Sequence, residues 1–172
     1  MDNLLYNACS IGDIESALLE IQNNNYHNWN RGLANACYGG HKELALLMIE
    51  KGANDWNWVL ANACLRGHKE LALLMIKKGA NAWNWGLTLA CYGGHKALAL
   101  LMIEKGADKW NWGLANACFG GHKELALLMI EKGADINQCS IQLGEEDIER
   151  LVKIGITQFR NKYYKLKIWI RI

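Results

Sequence analysis

Residues 55–81 read DWNWVLANACLRGHKELALLMIKKGAN, and this 27-residue pattern recurs along most of the chain. Further copies occupy residues 28–54, 82–108 and 109–135, and the first and last of these differ at only four of 27 positions. A fixed period of this kind is the signature of a solenoid, in which stacked units share one core and atypical units cap the ends.

Degenerate copies flank the four regular ones, so we expect about six units. The N-terminal copy keeps the pattern L-Y-N-A-C-x-x-G-D-I-E from residue 5 onward, and the C-terminal copy keeps only an outline. The predicted organisation is an N-terminal capping repeat at 1–27, four repeats at 28–135, a C-terminal capping repeat at 136–156 and a tail at 157–172. The four regular copies are called repeats 1 to 4 below.

Each repeat predicts two short helices joined by a glycine turn. In repeat 2, Leu60, Ala63 and Cys64 are spaced i, i+3, i+4 and mark the buried face of the first helix. Gly67 then breaks this helix. The apolar run at 71–76 predicts a second helix that its neighbours cover on every side.

The ends of the predicted helices carry residues suited to them. An asparagine near the start of each first helix is expected to cap the free amides of the first turn: Asn30, Asn57, Asn84 and Asn111. A glycine follows each second helix, where a left-handed residue is favoured: Gly52, Gly79, Gly106 and Gly133. Together these signals predict an all-α fold.

Composition limits the class of protein further. The 172 residues include no proline and are 51% hydrophobic, which favours a helical core over disorder. Lys and Arg number 19 against 17 Asp and Glu, so we expect no nucleic-acid partner. The aliphatic runs are too short for a transmembrane helix, and the N-terminus lacks a secretory signal pattern. We therefore expect a soluble, cytoplasmic protein.

The cysteines repeat in step with the rest. Six stand at positions 9, 37, 64, 91, 118 and 139, and the spacing within the middle four is 27 residues. This spacing argues against disulfides, since bridged Cα atoms lie within ~7 Å, and free thiols favour a reducing compartment. A histidine follows each of the middle four cysteines, yet a zinc site needs four converging ligands and one repeat offers two. We interpret the cysteines as core residues and the histidines as turn-closing residues, and expect no metal and no cofactor.

The string G-L-x-x-A-C-x-x-G-H-x-x-L-A-x-x-M-I-x-K-G-A resembles the ankyrin repeat, whose motif is T-P-L-H-x-A-A-x-x-G-H-x-x-V-V-x-x-L-L-x-x-G-A-D. The matching residues in repeat 2 are Leu60, Ala63, Cys64, Gly67, His68, Leu71, Ala72, Met75, Ile76, Gly79 and Ala80. The resemblance covers about residues 4–155. It implies an ankyrin-like helix-turn-helix solenoid that binds proteins. Short repeats of this kind also resemble those of large DNA viruses, which implies the cytoplasm of a host cell.

Two departures from the ankyrin pattern bear on the fold. Ankyrin repeats are 33 residues long, so six residues are missing from each unit here. Only three residues, 55–57, bridge Asn54 and Trp58, which is too short for the β-hairpin finger that usually projects from the stack. The T-P-L-H turn is also absent. We therefore predict an all-α stack without fingers.

No catalytic constellation emerges from the sequence. Glu43, Glu70 and Glu124 recur in the first turn of the second helix, but Ala97 takes this place in repeat 3. That exchange suits a helix-end charge better than a general acid. The chain also lacks a P-loop, a dinucleotide-binding fingerprint and an H-E-x-x-H motif. We expect no enzymatic activity and no small-molecule substrate.

Seven of the eight tryptophans form two series along the repeats. We interpret the first series as packing over the leucine-rich helices: Trp29, Trp56, Trp83 and Trp110. The second series shares one face of the first helix with residues four and seven positions later, and this face lines the concave groove in ankyrin proteins. The resulting candidate partner-binding residues, called the groove stripe below, are Arg31, Asn35, Tyr38, Trp58, Asn62, Leu65, Trp85, Leu89, Tyr92, Trp112, Asn116 and Phe119. An alternative is that this stripe only packs between repeats.

The tail at 157–172 has a different composition, with five basic residues and no acidic one. Aliphatic residues alternate with Lys165, Lys167, Trp169 and Arg171 up to Ile172, which is a strand pattern. It is expected to cap the last unit or pair with another copy, or else to dock on a partner or touch a membrane.

These observations favour a non-catalytic scaffold that presents a concave aromatic and asparagine surface to a protein partner. The alternative is a structural protein that self-associates through the tail or through exposed leucines. Attachment to a membrane or RNA through the tail is a third hypothesis.

Overall fold

The computed structural model describes residues 3–23, 28–138, 144, 146, 147 and 149. The predicted tail and most of the predicted C-terminal capping repeat lie outside these residues. The described residues form α1 (Asn3–Ile11), α2 (Ile14–Asn23), α3 (Trp29–Gly39), α4 (Lys42–Glu50), α5 (Trp56–Arg66), α6 (Lys69–Lys77), α7 (Trp83–Gly93), α8 (Lys96–Glu104), α9 (Trp110–Phe119), α10 (Lys123–Glu131) and a 3₁₀ turn at Ile136–Gln138.

The all-α prediction is confirmed. Each regular repeat contributes one first helix and one second helix, and the N-terminal unit contributes α1 and α2. Within the described ranges no β-strand occurs, so the connectors between repeats form no finger.

Glycines end both helices of a repeat as the sequence predicts. Gly67 follows α5 with φ +81°, and Gly79 follows α6 with φ +106°. At the second end the amide of Gly79 bonds the carbonyl of Ile76 at 3.0 Å, and the amide of Ala80 bonds that of Met75 at 3.0 Å. This pair of bonds is a Schellman motif, which satisfies carbonyls that the helix leaves unpaired.

The repeats share one continuous apolar core. Leu60, Ala63 and Cys64 are fully buried, as predicted, and the same positions are buried in repeats 1 and 3. Consecutive first helices contact each other along the stack, whereas each second helix contacts chiefly the first helix of its own unit. The first-helix side is therefore the more closely packed side of the stack.

The second helices are less covered than their composition suggests. Leu71 and Met75 are buried, but Leu73 is 43% exposed, and its equivalents Leu46 and Leu100 are exposed to a similar extent. The first tryptophan series does pack partly buried against the core. It leaves these leucines open, so the expectation of cover on every side is wrong at this position.

The asparagines predicted as N-caps have a different role. The first helix begins one residue before each of them, and the residue at the cap position of repeat 2 is Asp55, whose side chain accepts from the amide of Trp58 at 3.3 Å. Asn28 caps α3 in the same way, at 3.1 Å to the amide of Arg31. At α7 and α9 the cap positions are taken by Ala82 and Lys109, with no side-chain cap bond. The N-cap prediction is therefore wrong by two positions.

Each of these asparagines instead fastens the connector to the next repeat. The side-chain oxygen of Asn57 accepts from the amides of Asn81 at 2.8 Å and Ala82 at 3.0 Å. Its amide nitrogen donates to the side chain of Asn81 at 3.3 Å. Asn30 and Asn84 make the same contacts one repeat before and one after. We call this series the asparagine clamp.

We predict that Asn57→Ala lowers the free energy of unfolding by about 1–3 kcal/mol, because it leaves two connector amides without their hydrogen-bond acceptor. Urea unfolding followed by circular dichroism measures this change. The matched control is Asn62→Ala on the same helix, which removes only a bond to the carbonyl of Trp58 and should change stability little. Equal losses in both variants would contradict the clamp.

Candidate functional site

The groove stripe lies on the outer face of the first helices. Its tryptophans Trp58, Trp85 and Trp112 are 37%, 43% and 61% exposed. Of the aromatics two helical turns further along, Tyr38 and Tyr92 are exposed to a similar degree, and Phe119 is 81% exposed. Arg31 is exposed as well, and the other members are partly buried: Asn35, Asn62, Leu65, Leu89 and Asn116.

The stripe also makes contacts between repeats. The rings of Tyr92 and Phe119 are stacked with centroids 5.8 Å apart, so adjacent repeats touch along this column. The two hypotheses for the stripe, open surface and packing between repeats, therefore both describe part of what is seen. Substantial apolar area remains uncovered at the three tryptophans.

The asparagines of the stripe are held by their own helices. The side-chain nitrogens of Asn35, Asn62 and Asn116 donate to the carbonyl four residues earlier, at 2.9, 3.0 and 2.9 Å. These bonds fix the amide groups, and no bond involves their side-chain oxygens within the described part of the chain. Each asparagine thus presents an acceptor to the groove.

Two adjoining clefts lie along the N-terminal part of the stripe and meet at Ser10. One has a volume of about 730 Å³ and is lined by Ser10, Tyr38, Gly39, Leu65, Arg66, His68, Tyr92, Gly93 and His95. The other has a volume of about 430 Å³ and is lined by Leu4, Tyr6, Asn7, Ser10, Arg31 and Asn35. A separate cleft beside the fourth repeat includes Trp112. Six of the twelve predicted residues line these clefts, and the other six lie elsewhere on the stripe.

The sequence analysis missed Arg66 as a groove residue. Its guanidinium lies 4.3 Å from the ring centroid of Tyr38, and that of Arg31 lies 4.5 Å from the ring centroid of Tyr6. The signal was present, because repeats 1, 3 and 4 have glycine where repeat 2 has Arg66. A charged residue in place of a repeated glycine marks a local change of surface.

The histidines, which were expected to close the turn within each repeat, also make contacts with the preceding unit. The Nε2 atom of His68 lies 3.1 Å from the carbonyl oxygen of Tyr38 in the preceding repeat, and His41 bonds Ser10 in the same way at 3.1 Å. A carbonyl only accepts, so Nε2 carries the proton. Each ring also packs against the turn of the preceding unit, where a Cβ atom at Gly40 would lie 2.6 Å from His68.

The cysteines offer no reactive or metal-binding chemistry in most of the stack. Burial raises the pKa of Cys9 to about 11, and that of Cys37, Cys64 and Cys91 to about 12, so these thiols stay protonated. The described residues contain no cluster of three or more potential metal ligands. The expectation of free thiols throughout is wrong at Cys118, which is disulfide-bonded. The spacing of 27 residues, on which that expectation rested, does not extend to the last cysteine, which follows Cys118 after 21 residues.

The geometry defines a helical repeat protein with an open groove and no catalytic cluster among the described residues. No protein-family model and no curated protein sequence matches the chain. Among solved structures, it is similar to the crystal structure of the human ASB11 ankyrin repeat domain, with a TM-score of 0.66 and 22% sequence identity. The match covers 88% of this chain and 83% of that chain, so the fold is that of an ankyrin repeat domain and the predicted resemblance is confirmed at the level of the fold. None of the described helices combines the length and apolarity that crossing a bilayer requires.

We predict that the stack loses stability as the pH falls below about 6.5. Burial lowers the pKa of His95 from 6.5, and the nearby charges of His122, His68 and Arg66 lower it further. The folded state then binds fewer protons than the unfolded state, so the stabilising effect is complete above the unfolded pKa and is lost on acidification.

Urea midpoints measured at pH 7.5 and pH 5.5 test this prediction. The wild type should show a lower midpoint at the acidic pH, and His95→Gln should show a smaller difference between the two. Glutamine keeps a donor for the carbonyl of Leu65 but does not titrate. An unchanged pH dependence in the variant would refute the assignment to His95.

Proposed function

We propose that this protein is a non-catalytic scaffold whose groove stripe binds another protein. The observation that supports this most directly is the row of exposed aromatic side chains on the first helices, of which Trp58, Trp85 and Trp112 form the longest series. Aromatic residues bordered by hydrogen-bonding groups are the composition that protein interfaces favour. The ankyrin repeat fold is consistent with such a role.

The binding mechanism follows from the rigidity of the stack. The buried face of each first helix packs in the shared core, and the asparagine clamp binds the connectors between repeats. The groove side chains are therefore largely ordered before a partner arrives, which lowers the entropy lost on binding. Four buried free thiols agree with the proposed cytoplasmic location, whereas the disulfide at Cys118 does not.

We predict that Trp85→Ala and Tyr92→Ala each weaken partner binding by about thirtyfold or more, the range of interface residues that dominate affinity. Immobilised wild-type and variant proteins are compared for the amount of each protein that they retain from a cell extract. Circular dichroism should show an unchanged helical signal in both variants.

The matched control is Leu46→Ala. Leu46 is 44% exposed, close to the 43% of Trp85, but lies on a second helix away from the groove. Its substitution should leave retention unchanged. Loss of the helical signal in both groove variants would instead assign the stripe to packing between repeats.

A second candidate function is self-association through the second helices. Leu18, Leu46, Leu73 and Leu100 form a row that is 41–44% exposed, whereas Leu127 at the same position of repeat 4 is only 5% exposed. Leu127 shows that this position can be covered by apolar packing in the stack. The row is therefore a candidate contact between two copies, alongside the tail proposed for the same role.

We predict for this candidate that the wild type sediments as a stable oligomer without any partner. The triple substitution of Leu46, Leu73 and Leu100 by Gln should yield a monomer, because it removes most of the exposed apolar row. Deletion of residues 158–172 tests the tail separately in the same sedimentation experiment. A monomeric wild type at tens of micromolar would exclude both routes and leave the scaffold proposal standing.

A further inference from the structure

The two arginines of the groove, Arg31 and Arg66, occupy positions at which the other three repeats share a different residue. Arg31 replaces the tryptophan that repeats 2 to 4 have at this position. Arg66 replaces a glycine that is present in the other three repeats. Both line the pair of clefts that meet at Ser10, so the two departures fall on one continuous part of the groove.

The position of Arg66 conflicts with close packing of the stack. At Gly93, the equivalent residue in repeat 3, a Cβ atom would overlap the carbonyl oxygen of Leu65. Helices α3 and α5, which meet at Arg66, contact each other less extensively than the other consecutive first helices do. The larger cleft lies beside this region of reduced contact.

Both guanidinium groups are available to a ligand. Each lies over a tyrosine ring at 4.3–4.5 Å, an arrangement that orients the cation through its face and leaves the N–H groups at its edge. Neither forms an ion pair within the described residues. Among the described residues, the linings of the two clefts also contain no Asp or Glu.

An apolar notch lies next to these cations. Leu65 stands where repeats 1, 3 and 4 have Tyr38, Tyr92 and Phe119. The shorter side chain leaves a gap between Tyr38 and Tyr92, and all three residues line the larger cleft. The side chains of Leu65, Tyr38 and Tyr92 are of the kind that an aromatic or large aliphatic side chain would contact.

We infer that this part of the groove binds an acidic segment of a partner protein, with carboxylates on Arg31 and Arg66 and an apolar side chain over Leu65. This inference rests on the proposed scaffold function and names the chemistry of its partner. Guanidinium groups match carboxylates through paired N–H bonds, which supports an acidic ligand. Two cations among tyrosine, leucine and asparagine are too few to follow a phosphate backbone, so the arrangement favours a protein over a nucleic acid.

The experiment uses the full chain and three fluorescent probes of defined chemistry. They are a random copolymer of glutamate and tyrosine, poly-glutamate, and a single-stranded oligothymidylate, each titrated by anisotropy at low and moderate salt. The copolymer should bind more tightly than poly-glutamate, because only the copolymer can also fill the notch.

The variants are chosen from the chain's own repeats so that the fold is retained. Arg66→Gly and Arg31→Trp restore the residues of the other repeats, and each should weaken copolymer binding about fivefold, with about twenty-five-fold for both together. The matched control is Lys69→Ala at the start of α6. Lys69 forms no ion pair with the described residues, and its substitution should change binding less than twofold.

The outcomes separate this inference from the scaffold proposal. If Trp85→Ala abolishes copolymer binding while the arginine variants do not affect it, the inference is overturned and the groove remains a binding surface. If all groove variants bind like the wild type, both fail. Oligothymidylate binding that is as tight and depends on the same arginines would overturn the inference in favour of a nucleic acid, and absence of copolymer binding at low salt would overturn it outright.

Discussion

The close approach of consecutive glycine turns is the constraint on which the rest of the structure depends. The backbone of Gly93 lies so near the carbonyl of Leu65 that no side chain fits between them. The imidazole of His95 bonds the same carbonyl. Because backbone meets backbone in this way at three of the four steps between first helices, these helices are brought into contact and the repeats share one dry core. The N-terminal unit differs at this position, because Asp13 takes the place of the histidine and its carboxylate accepts from the amide and hydroxyl of Ser16.

The asparagine clamp makes a second, independent connection between repeats. It acts at the start of the first helices, whereas the histidine contacts act at their end, so α3 and α5 are held at both ends. The clamp also explains how the units can be short. A connector of five residues has few internal hydrogen bonds, and the side chain of Asn57 supplies partners for two of its amides. A hairpin finger is then not needed to satisfy the connector.

The sequence predicted most of the architecture because its strongest signals are local and periodic. Helix positions, glycine ends and the buried column through Leu60 and Cys64 follow from spacing alone. The errors arose where a residue acts on another repeat. Asn57 has the local features of an N-cap, but its partners are 24 and 25 residues away. The exposure of Leu73 likewise depends on how far apart the second helices stand, which no single repeat encodes.

The candidate site was predictable in part for the same reason. A periodic face identifies the groove stripe, but periodicity alone gives no weight to a position that breaks the period, as Arg66 does. The structural effect of such a residue can be judged only when the packing of the repeats is known. A Cβ atom at this position opposes the close contact that the other repeats use, and the extent of contact between α3 and α5 is reduced accordingly. A stack selected for packing alone has no reason to place an arginine there. The charge, the notch over Leu65 and the opened interface are therefore best understood together, as one feature of the surface that the stack presents.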